Sequence, residues 1–176
     1  SSGYLRAARD LYTEPEWAVE ALIDAEPNLP EPIWDPASGT GTIPGVLRRR
    51  GFIAYGSDIA TGHDFLDRAV IVPQQFGSIV CNPPFKHAEA FVNRAFDHGV
   101  EVAAFLLRLA FLEGQARRKL FETTQLARVL VFSKRVSMPP PGALVNGRKQ
   151  GGGAIAFAWF VWRRGHVGPP TIGWLP

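Results

Sequence analysis

The sequence predicts an α/β fold: a mostly parallel sheet with helices on both faces. Two observations carry this. Short apolar runs of strand character alternate with amphipathic stretches of helical period through most of the 176 residues. A glycine-rich turn also follows the first such run directly and opens a helix. The length suits one domain with one core.

The elements follow in order. Glu14 to Glu26 reads as an amphipathic helix with Trp17, Ala18, Ala21 and Leu22 on one face. Thr13 is its expected N-cap, and Pro15 is tolerated in the first turn. Pro27, Pro30 and Pro32 then break the chain, and Ile33-Trp34-Asp35 forms a strand ending in a carboxylate. Thr42 to Arg50 is a helix closed by Gly51, and Phe52 to Tyr55 a second strand ending near Asp58. Phe76 to Cys81 is a buried strand, with Cys81 a small core residue. His87 to His98 is a helix closed by Gly99, and Val102 to Leu109 a long apolar strand. A basic helix over Glu113 to Phe121 precedes two consecutive strands, Arg128 to Val136 and Ala154 to Trp162. The alternation predicts right-handed parallel crossovers. The consecutive pair predicts one antiparallel strand at the sheet edge. Residues 1–10 are expected to be a flexible N-terminus. Ser137 to Gly153, with three consecutive prolines and four glycines after Val145, is expected to be a mobile surface loop.

Hydrophobic residues make up 46% and charged residues 20%, a balance that argues against disorder. No apolar run is long enough to span a bilayer, so no membrane partner is expected. One cysteine excludes an internal disulfide, and the four histidines do not form a metal set, so no metal is expected. A cytoplasmic location is the natural expectation. The net charge of +3 and pI of about 9.4 lean mildly toward polyanions.

Four constellations at strand ends carry chemistry. Asp35-Pro36-Ala37-Ser38-Gly39-Thr40-Gly41 lies between strand and helix, where glycines let backbone approach a ligand and the helix N-terminus offers N–H groups. Asp58 ends the next strand, 17 residues beyond Gly41, where a carboxylate can accept from both hydroxyls of a ribose. Gly62-His63-Asp64-Phe65 reads in two ways. Asp64 accepts from an adenine amino group while Phe65 packs on the ring, or Asp64 caps a turn and Phe65 joins the core. Asn82-Pro83-Pro84-Phe85 is the sharpest. Two prolines stiffen the strand end, the Asn82 side-chain and Pro83 backbone carbonyls can both accept from one exocyclic amino group, and Phe85 offers a stacking face. Arg108 stands out in the apolar Leu106-Leu107-Arg108-Leu109 and reads in two ways, facing the cleft near the strand end, the favoured reading, or lying at the sheet edge with its head in water, while Trp17 and Trp34 are expected in the core.

On these motifs the chain resembles class I S-adenosylmethionine-dependent methyltransferases of the amino-methylating group, DNA adenine-N6 methyltransferases above all. The resemblance covers most of residues 11 to 162. It implies a Rossmann-like doubly wound, mostly parallel seven-stranded sheet with an antiparallel final strand. It implies S-adenosylmethionine as cofactor, with Asp35 to Gly41 as the cofactor turn (Asp35, Pro36, Ala37, Ser38, Gly39 and Gly41), Asp58 and Ile59 at the ribose, and Asp64 and Phe65 at the cofactor adenine. Asn82, Pro83, Pro84 and Phe85 resemble the catalytic tetrapeptide. Tyr12-Thr13-Glu14-Pro15 is similar to a Thr-Pro-Pro segment that covers the methionine part. This assigns Thr13 to the cofactor, and Glu14 departs from the pattern.

The implied activity is methylation of N6 of adenine in DNA, by base extrusion and direct in-line transfer. RNA and protein glutamine are alternative substrates, and a non-catalytic nucleic-acid-binding subunit is the alternative of another class. Lys86, Lys134, Arg148 and Lys149 are the candidate phosphate contacts. No segment is long enough for the usual target-recognition region, so specificity falls to the Ser137 to Gly153 loop or to a separate recognition subunit.

Overall fold

The computed structural model describes residues 12–70, 72, 74–138 and 155–176. Seven strands form one sheet: β1 (Ile33–Asp35), β2 (Ala54–Gly56), β3 (Ser78–Cys81), β4 (Val102–Arg108), β5 (Leu126–Phe132), β6 (Phe157–Arg163) and β7 (Thr171–Leu175). Their spatial order is β2-β1-β3-β4-β6-β5-β7. Four helices flank it: α1 (Glu16–Ala25), α2 (Thr42–Arg49), α3 (Ala88–Ala95) and α4 (Gln115–Thr123). The Rossmann-like α/β architecture expected from the sequence is the one observed.

Both faces of the sheet are covered, so its central strands are apolar throughout rather than alternating. Leu22 of α1 and Ile43, Val46 and Leu47 of α2 pack on Ile33, Val80, Leu106, Trp159 and Val161. Phe91, Val92 and Ala95 of α3 and Leu120 of α4 pack on Ile79, Cys81, Phe105, Phe160 and Trp162. Buried tryptophans keep their polar edge satisfied. Trp159 Nε1 donates to the Ala18 carbonyl at 2.8 Å, tying α1 to β6, and Trp162 Nε1 donates to Thr124 Oγ1 at 3.0 Å. Glu26, buried at the end of α1, accepts from Arg128 of β5 and Arg163 of β6 at 2.6 and 2.7 Å.

The reversed strand corrects one expectation. The run from Phe157 is antiparallel, pairing with both β4 and β5, but it lies inside the sheet and not at its edge. At an edge, the continuous run Phe157-Ala158-Trp159-Phe160-Val161-Trp162 would leave a row of backbone groups unpaired. A further strand, β7, follows it and pairs parallel with β5 at the sheet edge, where Trp174 is 71% exposed. The expected Thr13 cap is also replaced: Pro15 takes the N-cap position, without a side-chain hydrogen bond, and α1 starts at Glu16. The stretch expected as one helix from His87 to His98 is α3 with a 3₁₀ turn at each end, and Gly99, at φ 75°, closes it. Residues 1–10 and most of 137–153 lie outside the described residues.

The link from β2 to β3 holds a 3₁₀ turn over Ile59–Thr61 and packs on the sheet through Phe65 and Phe76. His98 sits against it, stacked on Phe65 at 5.4 Å and edge-on to Trp34 at 5.1 Å. Burial lowers the His98 pKa below the ordinary value, and the positive charge of Arg94 adds to the effect. The unfolded chain therefore binds this proton more readily than the folded one. The stability held by neutral His98 is complete above about pH 6.5 and is lost as pH falls toward the lowered folded value. Urea titrations between pH 7.5 and 5 are expected to show His98→Phe losing less stability than the parent chain; equal losses would contradict the assignment.

Candidate functional site

The four expected strand ends lie side by side. β1 pairs parallel with β2 on one side (Ile33 with Ala54) and with β3 on the other (Ile33 with Ser78), and β3 pairs parallel with β4. Neighbouring strands are about 4.8 Å apart. Asp35, Asp58, Asn82 and Arg108 therefore occupy one carboxyl edge of the sheet, at the point where the chain turns first to one side of β1 and then to the other. In open parallel sheets such a point leaves a crevice.

The glycine turn is held by its own carboxylates. Asp35 accepts from the Ala37 N–H at 3.1 Å. Asp58 is 5% exposed and bridges two segments: Oδ2 accepts from the Gly39 N–H and Oδ1 from the Ala60 N–H, both at 2.9 Å. Each carboxylate oxygen can accept more than one hydrogen bond, so the clamp and a ribose contact are compatible. The Ser38 N–H donates to the Ser57 carbonyl at 2.9 Å, lacing the turn to the end of β2. Gly41, at φ 84°, has no atom within 4 Å of where a Cβ would stand, so the turn presents open backbone just before α2. Close approach of a ligand to bare backbone needs this combination of open space and positive φ. Asp58 fits the ribose of the group implied by the sequence motifs, whereas the Ser38, Gly39 and Gly41 N–H groups are already held by Ser57, Asp58 and Ser38, so the turn would offer close approach and not these donors.

Asp64 and Phe65 settle differently. Phe65 is 2% exposed, with Trp34 at 5.3 Å, Phe91 at 4.8 Å and His98 at 5.4 Å between ring centroids. Its ring belongs to the core and does not lie over a ligand, which corrects the expected adenine contact. Asp64 accepts from the Leu66 N–H at 3.0 Å, the turn-capping alternative.

Asn82 is 4% exposed, and its amide nitrogen is fixed. Nδ2 donates to Glu14 Oε2 at 2.8 Å and to the Tyr12 carbonyl at 3.0 Å, with Met138 Sδ at 3.6 Å. A carboxyl oxygen at 2.8 Å demands the donor end of the amide, so the carbonyl end of Asn82 points elsewhere. Glu14 is thus the buried partner of Asn82. Sequence reasoning assigned it no role; an acidic residue between Thr13 and Pro15 gives no local sign of burial. Thr13 itself is exposed.

Pro83 and Pro84 are buried, and Phe85 starts a 3₁₀ turn half-exposed. Its ring meets Tyr12 at 5.3 Å and Phe157 at 5.7 Å, and the Arg108 guanidinium lies over it at 4.5 Å. Arg108 thus stands at the carboxyl end of β4 with its head over the Phe85 ring. A cleft of about 170 Å³ opens beside Phe85, bounded by Leu107, Arg108, Ala110, Phe111 and Arg117. Lys86 is exposed next to the tetrapeptide. Lys134 lies over Trp17 at 4.6 Å, and Arg148 and Lys149 are outside the described residues.

No protein-family model and no curated protein matches the sequence. Solved structures do match in shape. A Pyrococcus horikoshii protein assigned as an RNA methyltransferase superposes with TM-score 0.59 at 12% identity, over 92% of this chain and 90% of its own. Magnesium protoporphyrin IX methyltransferase from Synechocystis, solved with S-adenosylmethionine bound, gives TM-score 0.53 at 14% identity, over 85% and 79%. The type IIG restriction endonuclease BpuSI gives TM-score 0.52 at 14% identity, over 85% of this chain and 24% of its own. The chain has the fold of these methyltransferases. At such identities the likeness is one of architecture, and the site rests on the residues just described. Among the described residues no helix is long and apolar enough to cross a membrane, and no three His, Cys, Asp or Glu side chains gather as a metal site.

The clamp on the methyltransferase-fold turn has a stability cost that can be measured. Asp58→Ala strands two N–H groups and is expected to lower unfolding free energy by about 1–3 kcal/mol. Gly56 is expected to be similarly intolerant, since a Cβ there would stand 2.8 Å from the Ser38 side chain. Chemical denaturation of Asp58→Ala and Gly56→Ala checks both; wild-type stability in both would contradict the packing described.

Proposed function

We propose that this chain is an S-adenosylmethionine-dependent N-methyltransferase acting on the N6 amino group of adenine in DNA. The observation that carries the reading is the buried Asn82 amide, fixed by Glu14 at the strand end next to the glycine turn. The methyltransferase fold of the neighbours supports it. Two of those neighbours are described as acting on nucleic acid, by methylation or restriction.

The bound cofactor would supply an electrophilic methyl group on a sulfonium; Ser38, Gly39, Gly41, Asp58 and Ile59 would hold it. Asp64 remains a candidate at its adenine, and Thr13 at its methionine end. The acceptor is an exocyclic amine whose lone pair is delocalised into the base. The Asn82 Oδ1 and the Pro83 carbonyl would accept its hydrogens, localise the lone pair, and stabilise the positive charge that develops on nitrogen, which is discharged when one N–H proton leaves to solvent. Phe85, with the Arg108 guanidinium over its ring, would border the extruded base and help hold the nitrogen in line, a proximity effect worth up to ~7–11 kcal/mol in favourable cases. Extrusion from a duplex costs a few kcal/mol. Lys86, Lys134, Arg148 and Lys149 are proposed to hold phosphates, and specificity for a DNA sequence to come from residues 137–153 or a recognition subunit.

Glu14 acts through Asn82 as a positioning residue. Asn82→Ala is expected to lower kcat by about 10²–10³ or more. Cofactor affinity by calorimetry should stay within about twofold, since Asn82 lies outside the residues proposed to hold the cofactor. Glu14→Ala is expected to reduce kcat with KM little changed. Glu14→Gln, which keeps an acceptor oxygen, should recover much of it. Incubation with methyl-labelled cofactor and unmethylated DNA, followed by nucleoside mass spectrometry, tests the activity: N6-methyladenine is expected. Absence of cofactor binding at millimolar concentration would refute it.

A further inference from the structure

The cleft beside Phe85 carries two cations on aromatic shelves. The Arg108 guanidinium lies 4.5 Å from the Phe85 ring centroid, and that of Arg117 lies 4.7 Å from the Phe111 ring centroid. Both side chains line the same cleft of about 170 Å³, whose remaining walls include the apolar Leu107 and Ala110. Arg117 is aimed by its own backbone contacts, donating from Nη1 to the Ala110 carbonyl at 3.2 Å and the Glu113 carbonyl at 3.4 Å. Among the described residues neither guanidinium makes an ion pair, whereas Arg118, one residue on, is paired with Glu122.

Stacking on a ring leaves the edge of a guanidinium, with its fork of N–H donors, turned outward. Two such forks at an apolar cleft match a chain of alternating flat rings and anions. With these ring faces taken, a base stacks on the plane of a guanidinium, and a phosphate takes the bidentate donors at its edge. A glutamine side chain offers neither. At about 170 Å³ the cleft is small beside the several hundred Å³ of a drug-sized site, with room for a base or a phosphate group and not for a whole cofactor.

We propose that Arg108 and Arg117 bind the phosphodiester groups flanking the target, so that the substrate of the Asn82 site is a nucleic-acid strand and not a protein glutamine. This rests on the methyltransferase reading for what happens at Phe85, but binding can be measured without turnover. Fluorescence anisotropy with single-stranded 12-mer DNA and RNA, titrated at several salt concentrations, supplies the readout. The double variant Arg108→Ala/Arg117→Ala is expected to bind the better of the two strands about tenfold more weakly or worse at low salt. The salt slope should fall by about 1.4, the value for two lost phosphate contacts to a single strand. The control Arg118→Ala/Lys119→Ala removes the same charge from α4 outside the cleft, and is expected to change binding much less.

Equal losses in the two double variants would overturn the proposal, because they would mean only general attraction. Unchanged binding in Arg108→Ala/Arg117→Ala would overturn it too, as would undiminished methylation of a glutamine peptide by that variant. Calorimetry with S-adenosylmethionine separates this from the parent reading. Cofactor binding with cleft-independent strand binding sinks the phosphate site alone; cleft-dependent strand binding without cofactor binding sinks the methyltransferase reading alone. Retained cofactor binding in the cleft variant also shows that it is folded.

Discussion

Parallel pairing of β1 with β2 on one side and β3 on the other is the constraint from which the site follows. Chain leaving β1 must cross to β2, and chain leaving β2 must pass back over β1 to reach β3. No covering segment can run over the place where these paths part. That place receives Asp35, the glycine turn, Asp58 and Asn82 from three different strands. The backbone hydrogen bonds of Ser38 and Gly39 to Ser57 and Asp58 then fix the turn against the second strand. A site assembled this way owes its precision to the sheet.

The approach to α1 closes the other side. Tyr12 and Glu14 reach the third strand end, one through a backbone carbonyl and an aromatic contact with Phe85, the other through a buried carboxyl. A buried carboxyl group is costly unless hydrogen-bonded. Its partner here is the very amide that the proposed chemistry requires to be oriented. Met138 contributes sulfur at the same amide, so residues on both sides of 139–154 in the sequence end at this edge: Met138 beside Asn82, and Phe157 against Phe85.

Features with local backbone causes were legible in the sequence. Glycines at positive φ, the paired prolines after Cys81 and the carboxylates at strand ends each signal a turn by their own chemistry. They sit where expected. So does Arg108, whose charge in an apolar run forces it to a strand end. Features decided by distant partners were not legible. Nothing in Thr171–Leu175, a short run with a central glycine between prolines, announces a strand; it forms by pairing with β5. The interior place of β6 follows from needing cover on both faces, which the pairing of consecutive strands does not reveal. Phe65 could equally have stacked on a ligand, and only the neighbouring Trp34, Phe91 and His98 decide that it is core. Glu14 looks like a surface acid until Asn82 is placed beside it.

The proposed activity requires the glycine turn and the asparagine turn to share one crevice. Titration of the ¹⁵N-labelled chain with S-adenosylhomocysteine, followed by amide NMR, tests it most directly. The backbone resonances of Ser38, Gly39 and Gly41 and the side-chain amide of Asn82 are expected to shift together along one saturable isotherm. Shifts confined to one of the two turns, or lying on the opposite edge of the sheet, would contradict it.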